Sequence, residues 1–245
     1  SSCRSAQPTS GEALDGLWYI TEISGSTVVP PAKQALPVIG FDAKTGKIFG
    51  NSGCNRIMGS YDVNSKDGII KQEARTRMSC ADMKTEENIL NALKRIKTYR
   101  PLNNNQIALC GEKKQRPLII LQRKASDINT PSSLDGDWRI VAVTSAIIPA
   151  EKKSKLLVSF NTTKKSIHAN AGCNEINAIL STDENDAYAI SFSKIAATMK
   201  ACPDMTLERQ VITALHETQS YNVSGKGDVV LYNKDGKLTM VLTKK

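Results

Sequence analysis

The sequence predicts an α+β protein: two tandem copies of a small domain, each a curled antiparallel β-sheet, a partial barrel, with one packed α-helix. Three observations lead there. The chain repeats itself: Asp15-Gly16-Leu17-Trp18-Tyr19-Ile20 returns as Asp135-Gly136-Asp137-Trp138-Arg139-Ile140, Ser52-Gly53-Cys54-Asn55 returns as Ala171-Gly172-Cys173-Asn174, and residues 76–83 return as 198–205, at offsets of 120, 119 and 122. A period that long exceeds the roughly 20–50 residues of a solenoid repeat, so each copy should carry its own core. Short apolar runs separated by polar turns read as hairpins, which pair antiparallel. Each copy also holds one stretch with helical period.

A flexible tether is expected over 1–12, the first domain over 13–123, a polar Ser- and Pro-containing linker over 124–132 and the second domain over 133–245. Each copy opens with an Asp-Gly turn into a β-rich strand, 17–20 and 138–143. A hairpin follows, 38–42 with 47–50 and 156–160 with 166–169, and delivers the chain to Gly-Cys-Asn. After a strand near 59–63 and a run beginning at Ile69, a helix is expected within 84–98, and its counterpart within 206–219. Ile89, Leu90, Leu93 and Ile96, and likewise Leu207, Val211, Ile212 and Leu215, fall on one helical face, and Thr206 is placed to cap the second helix. Short strands end each copy, at 99–102, 106–109 and 117–121, and at 220–223, 228–232 and 237–243.

No apolar run approaches the roughly 18–20 residues needed to span a bilayer. The net charge of +9 divides unevenly: residues 13–123 hold 17 basic and 10 acidic residues, residues 133–245 hold 14 and 12. The basic residues are scattered and aromatics make up only 5%, without the stripe and stacking platform of a nucleic-acid surface, so no nucleic-acid partner is expected.

Cys54 and Cys80 recur as Cys173 and Cys202, which suggests a disulfide in each domain and an oxidising compartment; four buried thiols in a cytosolic protein are the alternative. Cys110 has no counterpart and is expected free. Cys3, in Ser1-Ser2-Cys3, resembles the tail of a bacterial lipoprotein signal, so lipidation there and a membrane-surface anchor are expected. No metal is expected: cysteine and histidine lack ligand spacing, and neither His168 nor His216 recurs.

The opening Trp after Gly, the Gly-Cys-Asn with Gly59-Ser60-Tyr61 beyond it, the Thr-x-x-x-Cys before a Glu-bearing helix and the terminal β-meander together resemble the META domain (HslJ-like) family, twice over. The resemblance implies a small α+β fold in secreted or lipid-anchored bacterial envelope proteins, often linked to stress, with no established chemistry. Copy two lacks the Gly-x-Tyr and has Met199-Lys200 where copy one has Arg77-Met78.

An enzyme working in both copies should repeat a nucleophile and its base, and neither repeats. Glu86 and Glu208 fit the helix dipole better than acid–base chemistry. Asn55 and Asn174 can be binding amides or turn residues that bond nearby backbone. The expectation is therefore a monomeric, non-catalytic protein without cofactor in the cell envelope, as an outer- or inner-membrane lipoprotein facing the periplasm, or secreted. It would bind an unidentified protein or envelope component through residues such as Asn55, Tyr61, Arg77 and Asn174. An envelope hydrolase or an enzyme inhibitor with a site between the domains is the alternative.

Overall fold

The computed structural model describes residues 3, 10–112, 115–125, 127 and 129–245. The chain divides into two compact units, the first built on residues 10–125 together with 224–226 and the second on 127–223 and 227–245. In the first, β1 (Gly16–Ile23), β2 (Ser26–Thr27), β3 (Val38–Asp42), β4 (Lys47–Asn51), β5 (Arg56–Tyr61) and β6 (Ile70–Arg75) lead to α1 (Lys84–Leu93), then β7 (Thr98–Asn103), β8 (Gln106–Cys110) and β9 (Ile119–Arg123). In the second, β10 (Gly136–Val143), β11 (Leu156–Asn161), β12 (Ser166–Ala171), β13 (Glu175–Asp183) and β14 (Asp186–Ala197) lead to α2 (Thr206–Glu217), then β15 (Thr218–Val223), β16 (Val229–Asn233) and β17 (Leu238–Lys244).

All pairings are antiparallel, but the copies differ in closure. The first is an open sheet ordered β6-β5-β4-β3-β1-β9-β8-β7, with β2 on β1, whereas the second is a closed eight-stranded barrel. Two partial barrels were expected; the difference lies in one hairpin. In the second copy β13 and β14 stay paired, through two register shifts, down to Asp183 and Asp186, so β14 is long enough for Ala189 to pair with Ser220 of β15. In the first copy pairing stops at Tyr61 and Ile70, and residues 62–69 form a polar loop. A backbone bond from Ile69 N to Ile96 O, 3.0 Å, spans the remaining gap. Pro101 lies in β7, an edge position where its missing N–H is tolerated.

Each tryptophan packs inward from the first strand and donates Nε1 to a carbonyl four residues earlier, Trp18 to Leu14 at 2.7 Å and Trp138 to Leu134 at 2.8 Å. Ile89 and Leu93 of α1, and Leu207, Val211 and Leu215 of α2, are buried as the helical period predicts, joined by Ala92 and Ala214; Leu90 and Ile212 of the expected faces are half-buried, and Ile96 is buried just beyond the end of α1. Thr206 is the first helical residue rather than the cap; its N–H donates to Asp204 Oδ1 at 2.9 Å.

Three disulfides are present. Cys54–Cys80 and Cys173–Cys202 join the recurring pairs, with Cα separations of 5.9 and 6.4 Å. The third corrects two expectations: Cys110 is not free, and Cys3, expected to carry lipid, is bonded to it across 107 residues. A repeat reveals only what both copies share, and Tyr232 stands where copy one has Cys110, so nothing in the comparison could expose this bridge. Cys3, Cys110 and Ala108 form a small buried cluster. Most of the expected tether, residues 1, 2 and 4–9, lies outside the described residues. The linker is tied at both ends, by Lys124 N to Leu17 O at 2.8 Å and by Asn129 Nδ2 to Asn222 Oδ1 at 3.1 Å.

Candidate functional site

The Gly-Cys-Asn motif forms the same construction in both domains. Gly53 and Gly172 have φ of 103° and 101°, a left-handed turn that a side chain would strain. The turn drives the next asparagine inward. Asn55 is fully buried; its Oδ1 accepts from Met78 N at 2.6 Å and Thr76 Oγ1 at 3.0 Å, and its Nδ2 donates to Met78 O at 3.1 Å and Glu86 Oε2 at 3.0 Å. Asn174 repeats this: Oδ1 accepts from Lys200 N at 2.8 Å and Thr198 Oγ1 at 2.9 Å, and Nδ2 donates to Lys200 O at 3.3 Å and Glu208 Oε2 at 3.0 Å. The backbone N–H of each asparagine reaches the other carboxylate oxygen, at 3.2 Å on Glu86 and 2.8 Å on Glu208. One amide thus fastens a turn, the loop before the helix and the first turn of the helix, and the adjacent disulfide joins turn and loop covalently.

The copies differ around the carboxylate. Glu86 also accepts from the Ser52 hydroxyl and pairs with Arg75 Nη1 at 2.9 Å. Ala171 and Ala197 occupy those positions in copy two, leaving Glu208 bonded to Asn174 alone among the described residues. Burial pushes the Glu86 carboxyl up, but the bonds from Ser52 and Asn55 and the Arg75 charge outweigh it and hold it below the ordinary glutamate value.

The sequence model of the META domain family matches residues 12–125 and again 132–245, nearly the whole chain twice. The chain belongs to the META domain family. An NMR structure of a protein from Burkholderia xenovorans is similar to it at 17% identity over 51% of this chain and 94% of its own, with a TM-score of 0.38. No curated protein matches the chain.

Within the META fold, the four residues expected to bind do not form one site. Asn55 and Asn174 are buried and present nothing to a partner, which corrects their assignment as contact residues. Tyr61 ends β5, one full strand away from Asn55, and packs edge-on against Phe41 with centroids 5.1 Å apart. Burial, then the Asp15 and Asp42 charges, push its hydroxyl up. Arg77 is exposed on the loop that Asn55 holds. Among the described residues no group of three or more His, Cys, Asp or Glu gathers to hold a metal ion. No helix there is long and apolar enough to cross a membrane.

A feature unread in the sequence lies on the outer face of the first META sheet. Strand alternation sends Ile48 and Ile57 inward, so Phe49 and Met58 point out. Cross-strand register aligns Leu17, Gly40, Phe49, Met58 and Ala74 in one row over β1, β3, β4, β5 and β6. Leu17, Phe49 and Met58 are 39%, 46% and 49% exposed. They border a hollow of about 560 Å³ that also takes in Val38, Arg56 and Thr76. The same row of the second META domain reads Asp137, Ser159, His168, Asn177 and Ala196. Those polar residues satisfy one another: Ser159 Oγ donates to Asp137 at 2.6 Å, His168 meets Asn177 at 2.9 Å and Glu175 at 2.5 Å, and Asn170 donates to Glu175 at 2.9 Å. Setting the two copies side by side strand by strand, rather than only at shared motifs, would have shown the contrast.

Proposed function

We propose that this META protein is a non-catalytic binding protein of an oxidising compartment outside the cytoplasm, in the bacterial envelope or secreted, which holds a protein partner on the outer face of its first domain. The observation that carries the reading is the contrast between the two copies. One fold presents the same row twice, and only one row is left apolar and open, at a position where the other copy shows that polar residues are accommodated. An exposed apolar row bordering a hollow is a mark of a contact surface. The shared acids support the absence of catalysis: Glu86 and Glu208 are buried, with their oxygens engaged by the asparagine that anchors the turn. Three disulfides support the compartment, since such bonds persist where thiols are oxidised. An anchor through Cys3 competes with the Cys3–Cys110 bridge for one sulfur and is not part of this reading. The test is retention of envelope proteins on the immobilised full chain. Phe49→Ser with Met58→Ser should abolish capture of a specific partner while melting temperature stays unchanged, and His168→Ala should leave capture intact. Capture that is indifferent to Phe49 and Met58, or turnover of an envelope polymer by the purified protein, overturns the reading.

A further inference from the structure

We infer that the occupant of the first domain's outer face is an acidic amphipathic helix, a peptide segment whose apolar stripe is bordered by carboxylates. The inference rests on the binding reading above and adds the chemistry of the partner.

Charge supplies the first argument. Arg56 borders the hollow, Lys47 and Lys71 stand on the neighbouring row of the same face, and Arg77 is exposed beside Thr76. None of these four cations makes an ion pair among the described residues. Two acids stand nearby, Asp42 opposite Lys47 and Glu73 accepting from Ser60 Oγ at 3.3 Å, so the four cations outnumber them by two. In the second domain Arg56 is replaced at the same register position by Glu175, so the copy with the polar row has also reversed the charge. A second copy docked through this same face would bring its cations against them.

Shape supplies the second. The far end of the Phe49 ring lies against Gly40, in space that a Cβ there would need. A ring held against the sheet beside a hollow bordered by Leu17, Met58 and Arg56 offers a recess that receives side chains rather than a wedge for a bilayer. Spacing supplies the third. The five-strand apolar row is about 19 Å long, and the rows on either side lie about 7 Å from it. A helix is about 10–12 Å across, so one lying along the row sets its flanking side chains over Arg56 on one side and over Lys47 and Lys71 on the other. An extended segment would turn every second side chain away from the sheet and reach neither border.

The test measures binding of the full chain to a labelled synthetic peptide with leucines at helical spacing and glutamates beside them, by fluorescence anisotropy. The expected result is saturable binding that weakens with salt. Binding should fall about tenfold or more in Phe49→Ser, or in Arg56→Glu, which installs the second domain's residue; the unchanged melting temperature of each variant confirms its fold. The counterpart with lysines for glutamates should bind at least about tenfold more weakly. Equal binding of the lysine peptide, or indifference to Arg56→Glu while partner capture still depends on Phe49, overturns the acidic helix and leaves the binding reading standing. Phe49-dependent sedimentation with phosphatidylglycerol vesicles without peptide binding, or Phe49-dependent self-association, also overturns it. Partner capture indifferent to Phe49 overturns both.

Discussion

Replacing Asn55 by Ala strands the Met78 N–H and C=O, the Thr76 hydroxyl and one Glu86 oxygen at once. A buried polar group left unpaired costs about 1–3 kcal/mol. Asn55→Ala should therefore lower the stability of the first domain by about 3 kcal/mol, and Asn174→Ala that of the second by a similar amount. Denaturant unfolding checks this domain by domain, because Trp18 and Trp138 place one indole in each core. A loss below about half a kcal/mol would mean that water or a new partner replaces the amide. Glu86 adds a pH dependence. Its folded pKa lies below the ordinary value, so its contribution is complete above the ordinary glutamate range and is lost as pH falls through the folded pKa. Acid titration should find the first domain weakening below about pH 4, and Glu86→Gln should remove that slope while lowering stability at neutral pH. Recurrence singles out both residues in the sequence, but only Glu86 reads there as structural; Asn55 is assigned to a binding surface, which its burial corrects. What bound them together stayed hidden because the contact spans 31 residues.

The elements were largely legible, since strand alternation and the helical period are local signals. Leu93 and Leu215, assigned to the buried helix face by period alone, are each 1% exposed. Truncating either to Ala should cost about 2–5 kcal/mol, measured by thermal or denaturant unfolding of the full chain. A loss under about half a kcal/mol at both would contradict the burial. Closure of the sheet was not legible. It turns on whether the chain after β13 continues as a hairpin or, after β5, leaves as a loop, and both segments are polar. The apolar row was missed for a related reason. Alternation assigns Phe49 and Met58 to the outside of their strands, but only the cross-strand register reveals that they lie side by side.

At the scale of the whole molecule, duplication serves as an internal control: what the copies share is scaffold, and what they do not share is where their roles diverge. The shared set is the asparagine anchor, the tryptophan and one bridge; the unshared set is the outer row, the open edge and the Cys3–Cys110 bond. With all six cysteines bridged, thiol alkylation of the native protein without reductant should label none of them, and mass spectrometry should find all six labelled only after reduction. A thioether-linked lipid on Cys3, leaving Cys110 reactive, would contradict this. The long bridge also has a topological result. Cys3–Cys110 makes most of the first domain a covalent ring, with the 26-residue Cys54–Cys80 loop nested inside it. A protease that cuts once anywhere inside the ring releases no fragment, and the severed ends stay held beside the sheet they belong to. The second domain has that protection only within the 29-residue Cys173–Cys202 loop, so a cut elsewhere in it parts the chain.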